Sequence, residues 1–263
     1  MSSKLASAIA VVGLLLVSGP SALAETLIGT DGADQLLGTD LPDQLYGEGG
    51  DDVITGGGSN DYLEGGSGND QVDGGPGVEL VIGGTGDDRI DAGPGDDVVY
   101  SGAGDDLVLG GPGSDTLFGQ AGTDRVFGGP GADRIYASDS DFVDGGSGSD
   151  WIYASVGDAT VFGGPGEDVI AAISGIYTVF GGPGADRIRT GAGADKVNGG
   201  PGKDVIATGA GADRIDVRDG YRDRVHCGPG RDSVEADEFD VLTSCEVVNR
   251  SAAAPSGRPL ERR

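Results

Sequence analysis

Residues 106–115 read Asp106-Leu107-Val108-Leu109-Gly110-Gly111-Pro112-Gly113-Ser114-Asp115. The stretch runs from an acid, through three residues centred on an aliphatic side chain, into a glycine-rich turn, and meets an acid again after nine positions. The same nine-residue phase extends both ways. An acidic residue recurs at Asp34, Asp43, Asp52, Asp61, Asp70, Glu79, Asp88, Asp97, Asp106, Asp115, Asp124 and Asp133. Seven residues before each stands one apolar side chain, from Leu27 and Leu36 to Leu117 and Val126. A fixed short period is the mark of a solenoid.

Written from the position before the apolar residue, the unit is x-U-x-G-G-x-G-x-D, with U aliphatic. Later copies end at Asp150, Asp168, Asp186, Asp195, Asp204, Asp213 and Asp232. The first two, ending at Asp34 and Asp43, are looser, as terminal repeats tend to be. The phase slips in places. An eight-residue copy ends at Asp141 and another is read at Asp158, followed by a ten-residue copy to Asp168. The copy Val169–Tyr177 has lost its glycine turn and its acid, and a further ten-residue unit ends at Asp223.

Each unit supplies a three-residue strand and a six-residue turn. Alternation along the strand puts U on one face and its neighbours on the other. Glycine supplies positive φ without steric cost, and Pro between the turn glycines, as at Pro112 or Pro183, fixes φ. Two units close one coil, so the two U residues face each other across a thin core. Coils stack at the strand spacing of ~4.8 Å, and roughly 24 units give about 12 coils. The expected fold is an all-β parallel solenoid.

In this geometry, acids two units apart stack on one edge of the coil. Like charges ~5 Å apart repel by roughly 3 kcal/mol at an effective dielectric of 20. Two such rows without counter-ions would exceed the stability of a typical domain. A hard cation between turns converts repulsion into cross-linking, because it takes carboxylate and carbonyl oxygens together. Ca²⁺ accepts six to eight such oxygens, whereas Mg²⁺ demands a tighter octahedron. Zinc lacks ligands, since the chain has one His and two Cys. The candidate calcium ligands are Asp34, Asp43, Asp52, Asp61, Asp70, Asp88, Asp97, Asp106, Asp115, Asp124, Asp133, Asp150, Asp168, Asp186, Asp195, Asp204, Asp213 and Asp232.

The turns Gly65-Gly66-Ser67-Gly68-Asn69-Asp70 and Gly110-Gly111-Pro112-Gly113-Ser114-Asp115 resemble the hemolysin-type calcium-binding nonapeptide, the repeats-in-toxin (RTX) motif. The resemblance covers most of residues 26–240. It implies a parallel β-roll whose turn aspartates and carbonyls ligate Ca²⁺ shared between coils. Many such proteins carry an enzyme or toxin domain before the repeats, and none is visible here.

Composition agrees with a chain that needs cations. Gly accounts for 54 of 263 residues, about three times its usual share. The formal charge is −27, so nucleic acid and anionic membranes are poor partners. Low hydrophobicity with high net charge favours a loose chain until cations bind.

Residues 1–24 read as a secretory signal: Lys4, an apolar run Leu5–Val17, and Ala22-Leu23-Ala24 before Glu25. The run is short for a membrane span, and no later segment could serve as one. The expected organisation is a signal at 1–24, a β-roll at 25–223, a degenerate repeat or cap region at 224–249, and a disordered tail at 250–263. In an exported chain Cys227 and Cys245 are expected to pair. Their spacing equals one coil, and stacked residues ~4.8 Å apart fall within the disulfide Cα range. The bond would staple the last coil.

No catalytic constellation appears. His226 is the only His, and Gly145-Gly146-Ser147-Gly148-Ser149 fails the nucleophile-elbow pattern at its last position. Asp139, Asp141, Asp144 and Gly145 lack EF-hand spacing. Arginines at the first repeat position (Arg89, Arg125, Arg134, Arg187, Arg214) are expected to point outward and pair with acids. Aromatic residues after the apolar position (Tyr46, Tyr100, Phe118, Phe127, Tyr136, Tyr153) reflect strand propensity or a binding ridge. The reading is a secreted, non-enzymatic calcium protein that folds on Ca²⁺, with a structural, adhesive or matrix role and polysaccharide or the cell surface as partner. The rival readings are an ice-binding solenoid and a polysaccharide-acting enzyme on the solenoid face. Ice binding would need a flat Thr row, and the outward pairs Gln35/Leu37 and Arg89/Asp91 are mixed.

Overall fold

The computed structural model describes residues 24–250. Both the signal reading at 1–24, apart from Ala24, and the tail reading beyond residue 250 lie outside the described residues. Twenty-six strands follow in sequence, from β1 (Thr26–Ile28) and β2 (Gln35–Leu37) to β25 (Val241–Thr243) and β26 (Val247–Arg250). Odd-numbered strands form one 13-stranded sheet and even-numbered strands another, every pairing parallel. This is the all-strand parallel β-solenoid that the nine-residue period dictates, with two units per coil.

The core is a column one residue deep. In sheet one it runs Leu45, Leu63, Val81, Val99, Leu117, Ile135 and Ile152, and in sheet two Ile54, Val72, Ile90, Val108, Val126 and Val143, all essentially without solvent exposure. Register places each above its counterpart in the next coil, for example Val99↔Leu117 and Val108↔Val126. Aliphatic residues recur there because the inward position repeats once per unit, and β-branched side chains suit the pleated surface.

Some strands are longer than the three residues expected. In β5 (Tyr62–Ser67), β7 (Leu80–Thr85) and β9 (Val98–Ala103) the pairing continues through the second turn glycine, Gly66↔Gly84↔Gly102. That glycine has φ of +106°, +120° and +116° in the three coils. It bends the chain while its peptide still joins the ladder. Glu48 (φ 72°) and Gln120 (φ 64°) hold the same turn position in left-handed backbone without being glycine.

The region 224–250 continues both sheets. β23 (Arg224–His226) pairs with β21 (Val205–Ala207), and β25 and β26 extend the two ladders. Arg250, at the start of the expected tail, belongs to β26, and its guanidinium donates to the carbonyls of Asp237 and Asp240. Cys227 and Cys245 are disulfide-bonded with Cα atoms 5.2 Å apart, joining the ends of β23 and β25 in successive coils. One extra residue precedes Cys245 in its turn, and Ser244 there adopts φ 54°.

The arginines correct the sequence reading. Among the described residues only Arg218 forms ion pairs, with Asp216 at 2.7 Å and Glu235 at 3.3 Å. Arg89, Arg134, Arg187 and Arg214 form none: the adjoining row acids Asp88, Asp133, Asp186 and Asp213 turn inward, and the outward Asp216 beside Arg214 is held by Arg218. Arg125 instead lies over the rings of Phe127 and Phe142, 5.4 and 5.9 Å from their centroids. The aromatic strip is real, but its rings stack on one another: Tyr100–Phe118 and Phe118–Tyr136 centroids are 4.6 Å apart with planes within 9° of parallel. The half-buried faces are thereby consumed by neighbours along the coil axis.

Candidate metal centre

The acid ends each turn one residue before a strand, and the alternation that points U inward also points this residue inward. All eighteen aspartates singled out in the sequence are buried. They form two rows. One edge carries Asp34, Asp52, Asp70, Asp88, Asp106, Asp124, Asp195, Asp213 and Asp232. The other carries Asp43, Asp61, Asp97, Asp115, Asp133, Asp150, Asp168, Asp186 and Asp204.

Within a row each carboxylate does the same thing. Its Oδ1 accepts from the backbone N–H of the acid one coil earlier: Asp52 N to Asp70 Oδ1 at 2.8 Å, Asp115 N to Asp133 Oδ1 at 2.8 Å, Asp186 N to Asp204 Oδ1 at 2.9 Å. The other oxygen is left over. From Asp52 to Asp232, Oδ2 of sixteen of the eighteen is buried without a hydrogen-bond partner, and both oxygens of Glu79 are too. A buried, unpaired carboxylate oxygen is expensive. It must be protonated or meet a cation.

The surroundings of Oδ2 suit a hard cation. In Gly145 the point where a Cβ would stand lies 2.6 Å from Asp150 Oδ2 and 2.6 Å from the Gly163 carbonyl oxygen. Gly163 repeats this with Asp168 Oδ2 at 2.6 Å and the Gly181 carbonyl at 2.5 Å. A carboxylate oxygen from one coil and a carbonyl oxygen from the next thus converge beside the first turn glycine. Among the described residues no three His, Cys, Asp or Glu side chains gather into a side-chain cage. With one carboxylate per edge per coil, the remaining protein ligands are backbone carbonyls, as at Gly163 and Gly181. Oxygen-only donors of this mixed kind fit Ca²⁺.

Burial raises the pKa values of many of the row acids. Desolvation is the largest cause, with neighbouring row carboxylates adding to it, and the backbone N–H bond opposing both. Asp88, Asp115, Asp124, Asp168 and Asp204 are pushed up to about 7, Asp52, Asp133, Asp141 and Asp186 to about 6, and Asp223 to about 8. Glu79, whose longer side chain lies against Asp97, rises to about 8.

The rows differ from the sequence reading at identifiable places. Asp34 and Asp43 are already satisfied: Thr30 and Thr39 donate N–H (2.6 Å each) and hydroxyl (2.8 and 2.9 Å) to their Oδ2. Asp141, Asp223 and Asp240 join the rows, accepting from Asp124, Asp204 and Asp223. Glu246 accepts from Asp232 N at 3.0 Å and closes the first row. The unit read as ending at Asp158 ends at Ala159 instead. Ala159 is buried in the row, while Asp158 is exposed and its Oδ1 accepts from Ile176 N at 2.7 Å. A one-residue shift exchanges inward and outward positions.

Tyr177 fills the next place in that row. It is fully buried, and its hydroxyl faces the carbonyls of Ser174 (3.3 Å) and Ala154 (3.4 Å) in successive coils. A neutral O–H thus bridges two turns where a cation would otherwise do so. The first row is therefore interrupted at two successive coils, and the second is not.

An outer ladder escaped the sequence reading. The residue before the row acid accepts from the next coil: Asp51 from Asn69 N, Asn69 from Asp87 N, Asp87 from Asp105 N, Asp105 from Thr123 N, all at 2.8–2.9 Å. The inner row points toward the preceding coil and the outer row toward the following one. The doublets Asp51-Asp52, Asn69-Asp70, Asp87-Asp88 and Asp105-Asp106 were the available signal.

The family profile of the RTX calcium-binding nonapeptide repeat matches residues 21–40, 37–72, 73–108, 109–141, 137–170 and 180–215. A search of curated proteins returned no match. The matched segments cover well over half of the chain and include most of the coils whose carboxylates are left over. Multiple Ca²⁺ ions are what such repeats bind, and the chain belongs to the RTX calcium-binding nonapeptide repeat family.

Proposed function

We propose that this protein is an exported, calcium-dependent structural rod without catalytic activity, which folds when Ca²⁺ occupies its turns. The observation that carries the reading is the pair of buried rows whose Oδ2 atoms have no partner. The ligands proposed are the row aspartates from Asp52 to Asp232 with turn carbonyls. Asp34 and Asp43 are the weakest of the eighteen, since threonines already serve them. The first row works as two blocks, Asp52–Asp124 and Asp195–Asp232, separated by Asp141, whose Oδ2 already accepts from Ser138 N at 2.8 Å, and by Ala159 and Tyr177. Modules of this kind in extracellular fluid bind at ~10⁻⁴ to 10⁻³ M Ca²⁺. Calcium outside the cell would then keep the chain folded.

Export is supported by Lys4, the apolar run Leu5–Val17 and Ala22-Leu23-Ala24. Among the described residues no helix is long and apolar enough to cross a membrane. Absence of catalysis is supported by His226, whose Nδ1 sits 3.1 Å from Thr243 Oγ1 and by no carboxylate, and by the use of the buried acids in the rows. A structural, adhesive or matrix role is supported by a rod that presents regular faces. The test is a count of bound calcium by elemental analysis after desalting, for wild type and for Asp115→Asn/Asp133→Asn. The reading requires several ions per chain and a lower count in the variant; equal counts would remove the rows from the site.

A further inference from the structure

The basic residues are segregated along the rod. Residues 25–170 hold three, Arg89, Arg125 and Arg134, against thirty acids; residues 171–250 hold ten against thirteen. Seven of those thirteen are row acids, Asp186 to Asp240, buried in the turns. The surface of the C-terminal third is therefore cationic on a protein of charge −27.

Two of those ten, Lys196 and Arg214, meet at one groove. A groove of about 500 Å³ on the outer face of sheet two is lined by Phe180, Lys196, Asn198, Arg214 and Ser233. Lys196 and Arg214 are exposed, stand in register one coil apart, and reach no carboxylate. The two acids at the groove, Asp216 and Glu235, are held by Arg218. Glu235 also takes a 2.8 Å bond from Asn249. The free charge in the groove is thus positive.

Phe180 adds a second, independent feature. It ends the aromatic stack of this sheet: Phe162 covers one face, with centroids 4.7 Å apart and planes 7° from parallel. The next residue in its column is Asn198, so no ring covers the other face. Phe180 is 37 % exposed, and that face borders the groove. An uncovered aromatic face, an amide, a hydroxyl and two cations one coil apart are the groups that receive an acidic sugar: ring against C–H surface, polar groups against hydroxyls, cations against carboxylate or sulfate.

We infer that this groove binds an acidic polysaccharide, with Lys196 and Arg214 holding successive anionic groups and Phe180 stacking on a sugar ring. The inference deepens the adhesive reading above and depends on the calcium-loaded fold. A second copy's outer acid ladder has the same coil repeat, but it offers no partner for the free face of Phe180.

The test measures binding of calcium-loaded protein to hyaluronate, dextran sulfate and uncharged dextran by isothermal titration calorimetry. These carry carboxylate, sulfate and no charge. Wild type should bind one or both charged polymers and not dextran, more weakly as salt rises. Lys196→Glu/Arg214→Glu should weaken binding by roughly tenfold or more, and Phe180→Ala should weaken it while leaving its salt dependence unchanged. All three positions are exposed, and circular dichroism of the same samples reports the fold. Absence of binding with the fold intact, equal binding by the charge variant, or a concentration-dependent association of wild type alone that the variant loses would each overturn the inference. Loss of the calcium-dependent fold itself would instead count against the calcium reading.

Discussion

Protons should substitute for calcium in folding this chain. Stripped of metal at pH 8, row carboxylates such as Asp52, Asp88 and Asp115 are ionised, buried and stacked on like charges. Their protonation removes that penalty. Eleven of them have folded-state values raised to between about 6 and about 8. An acid whose value is raised on folding holds more protons in the native than in the unfolded state between the two values. Stability is then highest at low pH and falls as pH rises from about 4 to about 8. A rise from 3.8 to about 6, as at Asp52, corresponds to ~3 kcal/mol at face value. The turns lie at the edge of a thin rod close to solvent, so screening leaves about a third of that, ~1 kcal/mol per acid. Eleven such groups lose about 10 kcal/mol between pH 4 and pH 8, comparable with the whole stability of a domain. The assay is urea unfolding followed by far-UV circular dichroism, on protein freed of metal by gel filtration. At pH 5 a β signal and a measurable urea midpoint should appear; at pH 8 neither should. In saturating calcium the order reverses, because protons then compete with the ion for the same oxygens. A metal-free chain equally structured at both values, or less structured at pH 5, would refute the reasoning.

Other perturbations follow from the same geometry. Ala159→Asp/Tyr177→Asp restores the two missing carboxylates of the first row, so native mass spectrometry in calcium should show more ions per chain than wild type; an unchanged count would show that the gap lies elsewhere. Gln120→Gly relieves left-handed strain at φ 64° and should raise the urea midpoint by about 1 kcal/mol equivalent in saturating calcium. Gly146→Ala does the reverse, because φ is 97° and the new Cβ would press on the Gly129 carbonyl; a loss of roughly 1–3 kcal/mol is expected by the same assay. Ile152→Ala opens a cavity in a core one residue deep and should cost about 2–5 kcal/mol, read by thermal unfolding in calcium.

Much of this architecture is written in a single period. Nine residues with one aliphatic and one acid leave only a two-unit coil, and Leu45, Leu63 and Val81 in one sheet with Ile54, Val72 and Ile90 in the other stand where that period places them. The two acid rows follow from the same arithmetic. What escaped it depended on choices the period does not make. Between Asp150 and Asp168 either Asp158 or Ala159 could close a unit; acid identity favoured the first, but the inward position after Gly157 falls to the second. Tyr177 read as a lost acid, and only the fold shows its hydroxyl facing Ser174 and Ala154. Thr30 and Thr39 looked like degenerate turn residues, yet their hydroxyls serve Asp34 and Asp43. The arginines were assigned partners from charge alone, although the adjoining row carboxylates are turned inward and Asp216, which is not, is held by Arg218.

The central claim is that calcium is part of the fold. It is tested most directly by far-UV circular dichroism of the protein in chelator at pH 7.5, titrated with Ca²⁺ and separately with Mg²⁺. The account predicts a cooperative change from coil to β signal with Ca²⁺ and little response to Mg²⁺. A β signal already complete in chelator would contradict it, because the buried rows would then stand ionised without a cation.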